Sequence, residues 1–197
     1  MEIELPSVDG RECSIRIMDS LPDDIACTDE IFNRLLSRRP QEHGKVRVFD
    51  KEYNVPRYIM NYGMDYFFSG LSHKSDDDMD EYLARLLSWV CKHSGKEYNQ
   101  MLVNWYMDGR DHIGPHSDDE RQLVPDSDIY SFSFGATRDF VVKGKYNDHR
   151  SVYEMKNNTL IIMRGCMQKF YKHSVPKRLK VKEPRINVTM RLFATHA

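Results

Sequence analysis

The residues of this chain best suited to carry chemistry are His116, Asp118 and His173. In His116-Ser117-Asp118 an imidazole and a carboxylate stand two positions apart, and residues so spaced project from the same side of an extended chain. His116 and Asp118 can therefore grip one ion together, and His173, from a later strand, can complete the face. Two imidazoles and one carboxylate bind ferrous iron and leave three coordination positions open. On spacing alone the pattern is weak. Gly114, Pro115 and Asp119 surround it, so polar residues in a surface loop are the competing reading.

A second set lies near the C-terminus. Arg185, Asn187, Thr189 and Arg191 alternate with Ile186, Val188 and Met190, so they share one face of a strand. An exposed sheet face can carry such a pattern without consequence. On an inward face, two arginines need an anion to offset their charge, and a dicarboxylate serves at both ends. Asn104 and Tyr106, also alternate on a strand-like run, can add neutral hydrogen bonds.

These residues sit on short strand-like runs, most of them separated by turn residues: 101–107, 129–135, 139–142, 151–155, 159–164, 170–175 and 186–193. The chain before Gly95 reads differently. A short helix is predicted over 29–38, with Ile31, Phe32, Leu35 and Leu36 on one side, Thr28 as its cap and Pro40 as its stop. A longer helix over 78–92 repeats Met79, Tyr82, Leu83, Leu86, Leu87 and Val90 at three- and four-residue intervals, with Asp76 to Asp78 supplying the cap. Residues 46–56 read as a ribbon and the aromatic- and glycine-rich stretch 57–70 as a structured loop. The first twenty-two residues give no clear assignment. The fold class expected is α+β: N-terminal helices and a recognition lid over about 1–98, packed on a β-sandwich or jelly roll over about 99–197, in a single domain.

A length of 197 residues suits one sizeable core. The formal net charge of −1 says nothing about nucleic acid, but its distribution is uneven. Asp76, Asp77, Asp78, Asp80 and Glu81 form an acidic run; Lys169, Lys172, Lys177, Arg178, Lys180 and Lys182 form a basic stretch. A basic patch that meets phosphate need only be local, although charge alone reads more simply as solvated surface. Cys13, Cys27, Cys91 and Cys166 are scattered without a C-x-x-C pair, which argues against a zinc knuckle or a secreted disulfide framework. No apolar run approaches bilayer length and the N-terminus lacks a signal pattern, so a soluble intracellular protein is expected.

Taken together, the motifs resemble AlkB-type Fe(II)/2-oxoglutarate dioxygenases, most of all the animal-type members that repair duplex DNA. The resemblance spans roughly 46–193. It rests on Asn104-Trp105-Tyr106, Asp108-Gly109, the run from Asp111 to Glu120 around His116, Ser131-Phe132-Ser133-Phe134-Gly135-Ala136 with Arg138-Asp139-Phe140, His173-Ser174-Val175-Pro176, and Arg185 to Arg191. It implies a double-stranded β-helix fold, iron held by His116, Asp118 and His173, and 2-oxoglutarate surrounded by Asn104, Tyr106, Arg185, Asn187, Thr189 and Arg191. Dioxygen is the third reactant. Oxidative decarboxylation of the cosubstrate leaves succinate and CO2, and an N-methyl group on a base is hydroxylated and lost as formaldehyde.

The resemblance extends to the substrate. A methyl group on a Watson–Crick edge is hidden in a duplex, so the base must be flipped out. Val48-Phe49-Asp50 resembles the family's hydrophobic finger, with Phe49 as the wedge; Asp50 stands where a glycine would turn more easily. Tyr66 falls where the family stacks an aromatic on the flipped base, Arg57 at a base-flanking loop, and Asp119 and Glu120 where the base edge is read. A carboxylate there favours cationic lesions such as 1-methyladenine and 3-methylcytosine. Lys177, Arg178 and Lys180 would hold phosphates. The partner expected is DNA, duplex before single strand, acted on by a monomer in the nucleus of a eukaryote or the cytoplasm otherwise. RNA demethylation, a non-catalytic nucleic-acid-binding module and a protein hydroxylase are the alternatives.

Overall fold

The computed structural model describes residues 1–48, 51–68 and 71–195, with the side chains of 47, 48, 66–68 and 71–73 outside the description. The chain opens on a hairpin, β1 (Glu2–Val8) and β2 (Arg11–Met18). Asp9 and Gly10 join them with φ of 54° and 70°. Two successive positive φ values match the twist of the flanking strands, and Asp-Gly is a favoured pair for that turn. The segment that sequence reasoning left unassigned thus carried a hairpin signal in Asp9-Gly10.

Helix α1 (Asp29–Ser37) starts as expected, with the Thr28 hydroxyl accepting from the Ile31 amide. The ribbon is β3 (Lys45–Val48) and β4 (Lys51–Asn54). The expected loop over 57–70 is instead β5 (Tyr58–Gly63) and β6 (Tyr66–Phe68), the latter paired with β7 (Leu71–His73). Its alternation was masked because both faces of β5 are covered. Tyr58, Met60 and Tyr62 join the helix-side core, while Asn61 accepts from the buried Gln100 amide at 2.9 Å. Helix α2 (Glu81–Ser94) begins later than expected. Asp80, not Asp76 to Asp78, accepts from the Tyr82 amide, and Gly95 closes the helix at φ 68°.

The remaining strands are β8 (Gln100–Tyr106), β9 (Ile113–His116), β10 (Ile129–Gly135), β11 (Arg138–Gly144), β12 (Arg150–Met155), β13 (Thr159–Gly165), β14 (Tyr171–Val175) and β15 (Arg185–Arg191). A one-turn helix, α3 (Met167–Phe170), precedes β14. Seven of these strands follow the predicted runs; β9, expected as turn-rich chain, is the addition. They build a seven-stranded sheet, β1-β2-β13-β10-β15-β8-β5, facing a four-stranded one, β12-β11-β14-β9. This is the jelly-roll sandwich expected.

Period-two alternation divides the large sheet into two working faces. Met101, Val103, Trp105, Phe132, Phe134, Ile186, Val188 and Met190 meet the helices, where Leu83, Leu86 and Val90 are buried against them. Burying a side chain the size of Leu86 contributes about 1.5–3 kcal/mol. The Trp105 indole donates to the Leu35 carbonyl at 2.9 Å and ties α1 to β8. The alternate residues face the small sheet. There Ile15, Ile129, Ile161 and Met163 pack with Phe140, Val142 and Tyr171, while the centres of β8, β10 and β15 present polar groups. Among the described residues, no helix is long and apolar enough to cross a membrane.

Candidate active site

Strands β9 and β14 are neighbours in the small sheet, and His116 and His173 are direct cross-strand partners. Their rings lie 4.3 Å apart. Asp118 follows two residues beyond, past the end of β9, and turns its carboxylate between them. Its Oδ1 is 3.7 Å from His116 Nε2 and its Oδ2 is 3.8 Å from His173 Nε2. One ligand atom from each of the three residues lies within 4.8 Å of the others.

Four features suit this cluster to a cation. His116 Nδ1 donates to the Gly114 carbonyl at 2.9 Å; since a carbonyl only accepts, the proton sits on Nδ1 and the Nε2 lone pair faces inward. Burial pushes both imidazoles toward the neutral form that binds metal, His173 down to about 3. Burial alone would raise the Asp118 carboxyl, but the Arg191 guanidinium, 2.9 Å from Oδ1, together with the neighbouring His173 and His116, outweighs it and keeps the group ionised. Asp118 Oδ2 is left buried with no hydrogen-bond donor. A buried carboxylate oxygen without a donor is costly, and an Fe(II) ion facing two imidazoles would satisfy it.

The polar face of the large sheet forms the opposite wall of the same pocket, which Asp118, His173, Asn104, Tyr106, Arg185 and Asn187 help to line. All four alternating polar residues of β15 are buried and turn inward. Arg185 is 2% exposed; its Nε donates to Ser133 Oγ at 2.8 Å, while Nη1 is buried with no acceptor. Burial lowers Arg185 to about 10, which leaves it charged at neutral pH. Its guanidinium carbon lies 5.1 Å from the centre of the Tyr106 ring. Asn187 donates to Ser131 Oγ and the Phe132 carbonyl, and its Oδ1 accepts from Thr189. Arg185, a cation with a free donor, at one end and an ion held by His116, Asp118 and His173 at the other would suit the two ends of a dicarboxylate such as 2-oxoglutarate.

The residues expected around the substrate are more scattered. Arg57 stands in the bend between β4 and β5, as expected, but its side chain turns inward: it is 5% exposed, lines the pocket and donates to Asn104 Oδ1 at 2.7 Å. Asp119 is exposed with Lys145 Nζ 3.8 Å away, and Glu120 is half-buried beside it in sequence. Lys177 and Lys180 are exposed. Arg178 is drawn toward Asp139 and Glu154, at 3.3 and 3.7 Å, and with Lys180 it lines a separate cleft against α1. Phe49 and Asp50 lie outside the described residues, as does the Tyr66 side chain. Sequence reasoning passed over Ser131 and Ser133 as site residues. Their signal was the Ser-Phe-Ser-Phe alternation of β10, which aims both hydroxyls at β15. It passed over Gln168 entirely.

Residues 26–191 match the profile of the 2OG-Fe(II) oxygenase superfamily. The chain is 40% identical over 177 residues to the protein of Mus musculus named DNA oxidative demethylase ALKBH2, covering 83% of this chain and 74% of that one. Identity to the Homo sapiens protein of the same name is 36% over 197 residues, covering 93% and 74%. It is 32% over 178 residues to alpha-ketoglutarate-dependent dioxygenase alkB homolog 3 of Bos taurus, covering 85% and 62%. Among solved structures, that of OsALKBH1 aligns with a TM-score of 0.59 at 17% identity, over 91% of this chain and 96% of that one.

Proposed function

This chain belongs to the AlkB family of 2OG-Fe(II) oxygenases, and from that premise we propose that it is a DNA oxidative demethylase, removing N-methyl lesions such as 1-methyladenine and 3-methylcytosine by base flipping. The observation that carries the reading is one pocket with two complementary vacancies in its hydrogen bonding: Asp118 Oδ2 without a donor and Arg185 Nη1 without an acceptor.

In this reading His116, Asp118 and His173 hold Fe(II), and Arg185, Arg191, Asn104, Tyr106, Asn187 and Thr189 hold 2-oxoglutarate. When bound, iron with 2-oxoglutarate and dioxygen supplies the oxidation of the methyl group. The chain supplies the rest. Arg185 anchors one carboxylate of the cosubstrate, with Ser133 fixing the guanidinium's angle. Arg191 helps to keep Asp118 ionised, and the Gly114 carbonyl keeps His116 in its ligand tautomer. The sandwich walls keep water from the reacting centre. Asp119 and Glu120 favour a cationic base, Tyr66 and Arg57 flank it, Phe49 fills the gap it leaves, and Lys177, Arg178 and Lys180 meet phosphates. Arg178 must exchange its present acidic neighbours to do so. The protein acts as a monomer, in the nucleus if its source is eukaryotic.

Formaldehyde and succinate release should be measured with methylated duplex DNA, single-stranded DNA, RNA and a peptide. Release from methylated DNA, abolished by a chelator and restored by Fe(II), is expected. Turnover of RNA alone would replace the substrate and keep the chemistry; turnover of the peptide alone would make it a protein hydroxylase. No turnover of any of them would leave a binding module.

A further inference from the structure

Asp118 lies beyond the end of β9, so no strand partner is available to its backbone amide. The residue is only 2% exposed, and a buried amide needs an acceptor. That acceptor is Gln168, fifty residues further on, whose Oε1 lies 2.9 Å from Asp118 N. Since the amide can only donate, the side chain is oriented with its oxygen toward Asp118. Gln168 is itself 8% exposed and held at both ends. Its Nε2 lies 3.4 Å from Met163 Sδ on β13, and its carbonyl accepts from Lys145 Nζ at 2.8 Å. It stands on α3, five residues before His173. A second tie runs alongside, with the Ser117 hydroxyl donating to the Tyr171 carbonyl at 2.8 Å.

We propose that Gln168 is a positioning residue for iron, locking the backbone of Asp118 to the segment that delivers His173 so that the three ligands keep one spacing. This rests on reading Asp118 as an iron ligand. The cluster draws on two chain segments, and one of its members sits on irregular chain. Without the brace, rotation about the backbone at Asp118 would move its carboxylate relative to the two imidazoles. An oxygen at this position suits the task because the Asp118 amide needs only an acceptor.

The test is Mn(II) titration of the whole protein under nitrogen, with thermal midpoints recorded alongside. Gln168→Met keeps length and volume but has no oxygen; Gln168→Glu keeps an acceptor. Groups that orient metal ligands typically cost 10- to 100-fold in affinity when lost, so Gln168→Met should weaken Mn(II) binding by roughly ten-fold or more. Its midpoint without metal should fall by a few degrees, because the buried Asp118 amide is left without an acceptor, and Gln168→Glu should stay within about three-fold of the parent in Mn(II) affinity. A Gln168→Met protein with parental Mn(II) affinity overturns the proposal, whatever its midpoint. So does a Gln168→Glu protein as impaired as Gln168→Met. Asp118→Ala serves as reference. If it loses Mn(II) while Gln168→Met retains it, the brace alone fails. If it binds Mn(II) like the parent, the iron reading fails and the brace with it.

Discussion

The site is built from side chains that are incomplete by themselves. His116, Asp118 and His173 offer three ligand atoms on one side, and no fourth His, Cys, Asp or Glu among the described residues joins the cluster. Alanine at any of the three should therefore abolish turnover; His116→Ala and His173→Ala should leave the thermal midpoint close to the parent's, whereas Asp118→Ala should lower it, because it removes the carboxylate that faces the buried Arg191 guanidinium. Full activity in one of them would remove that residue from the metal site. Arg185 is incomplete in the opposite sense, a buried cation with an unused donor. Charge-assisted hydrogen bonds contribute about 1.5–3 kcal/mol, so Arg185→Met should raise the KM for 2-oxoglutarate roughly 10- to 100-fold. The same substitution removes a buried charge that lacks a full set of partners, so the ligand-free protein should be at least as stable as the parent. An unchanged KM, or a ligand-free protein several kcal/mol less stable, would show that Arg185 serves packing.

At the scale of elements, the site depends on loops that hold β9 and β14 side by side. Gly109, in the loop between β8 and β9, exchanges hydrogen bonds with the segment after β14. Its amide donates to the Val181 carbonyl at 2.9 Å, and its carbonyl accepts from Arg178 N at 2.8 Å. A Cβ on residue 109 would collide with the Arg178 carbonyl oxygen. Gly109→Ala must therefore part the two loops, at a cost of about 1–3 kcal/mol. The expected result is a lower denaturant midpoint together with weaker metal binding, since one loop leads into His116 and the other leaves His173. A parental midpoint would mean that the loops yield without consequence.

At the scale of the whole molecule, the open matter is how a base reaches the pocket. Phe49 falls in sequence between β3 and β4 and lies outside the described residues. Stacking on a base is worth about 1–3 kcal/mol, comparable to the few kcal/mol needed to unstack a damaged pair. Phe49→Ala should then cut repair of 1-methyladenine in duplex DNA by roughly ten-fold or more, the factor for about 1.4 kcal/mol. Repair of the same lesion in a single strand should change far less. Equal losses on both substrates would make Phe49 structural; no loss on either would point to single strands or RNA as the natural substrate.

The local patterns of the chain determine most of this architecture, because side-chain alternation and capping are properties of neighbours in sequence. Arg185, Asn187, Thr189 and Arg191 declare a shared face, Leu83, Leu86 and Val90 declare a buried stripe, and Asp9-Gly10 declares a turn even where it went unread. The same patterns cannot say which face points inward. Only the stacking of two sheets decides that Arg185 is buried and that Arg57 turns in toward Asn104. Nor does any local signal link Asp118 to Gln168 or to Arg191, fifty and seventy-three residues away. Those bonds satisfy groups left over by a strand end and by a buried charge, and such needs arise only once the chain has folded.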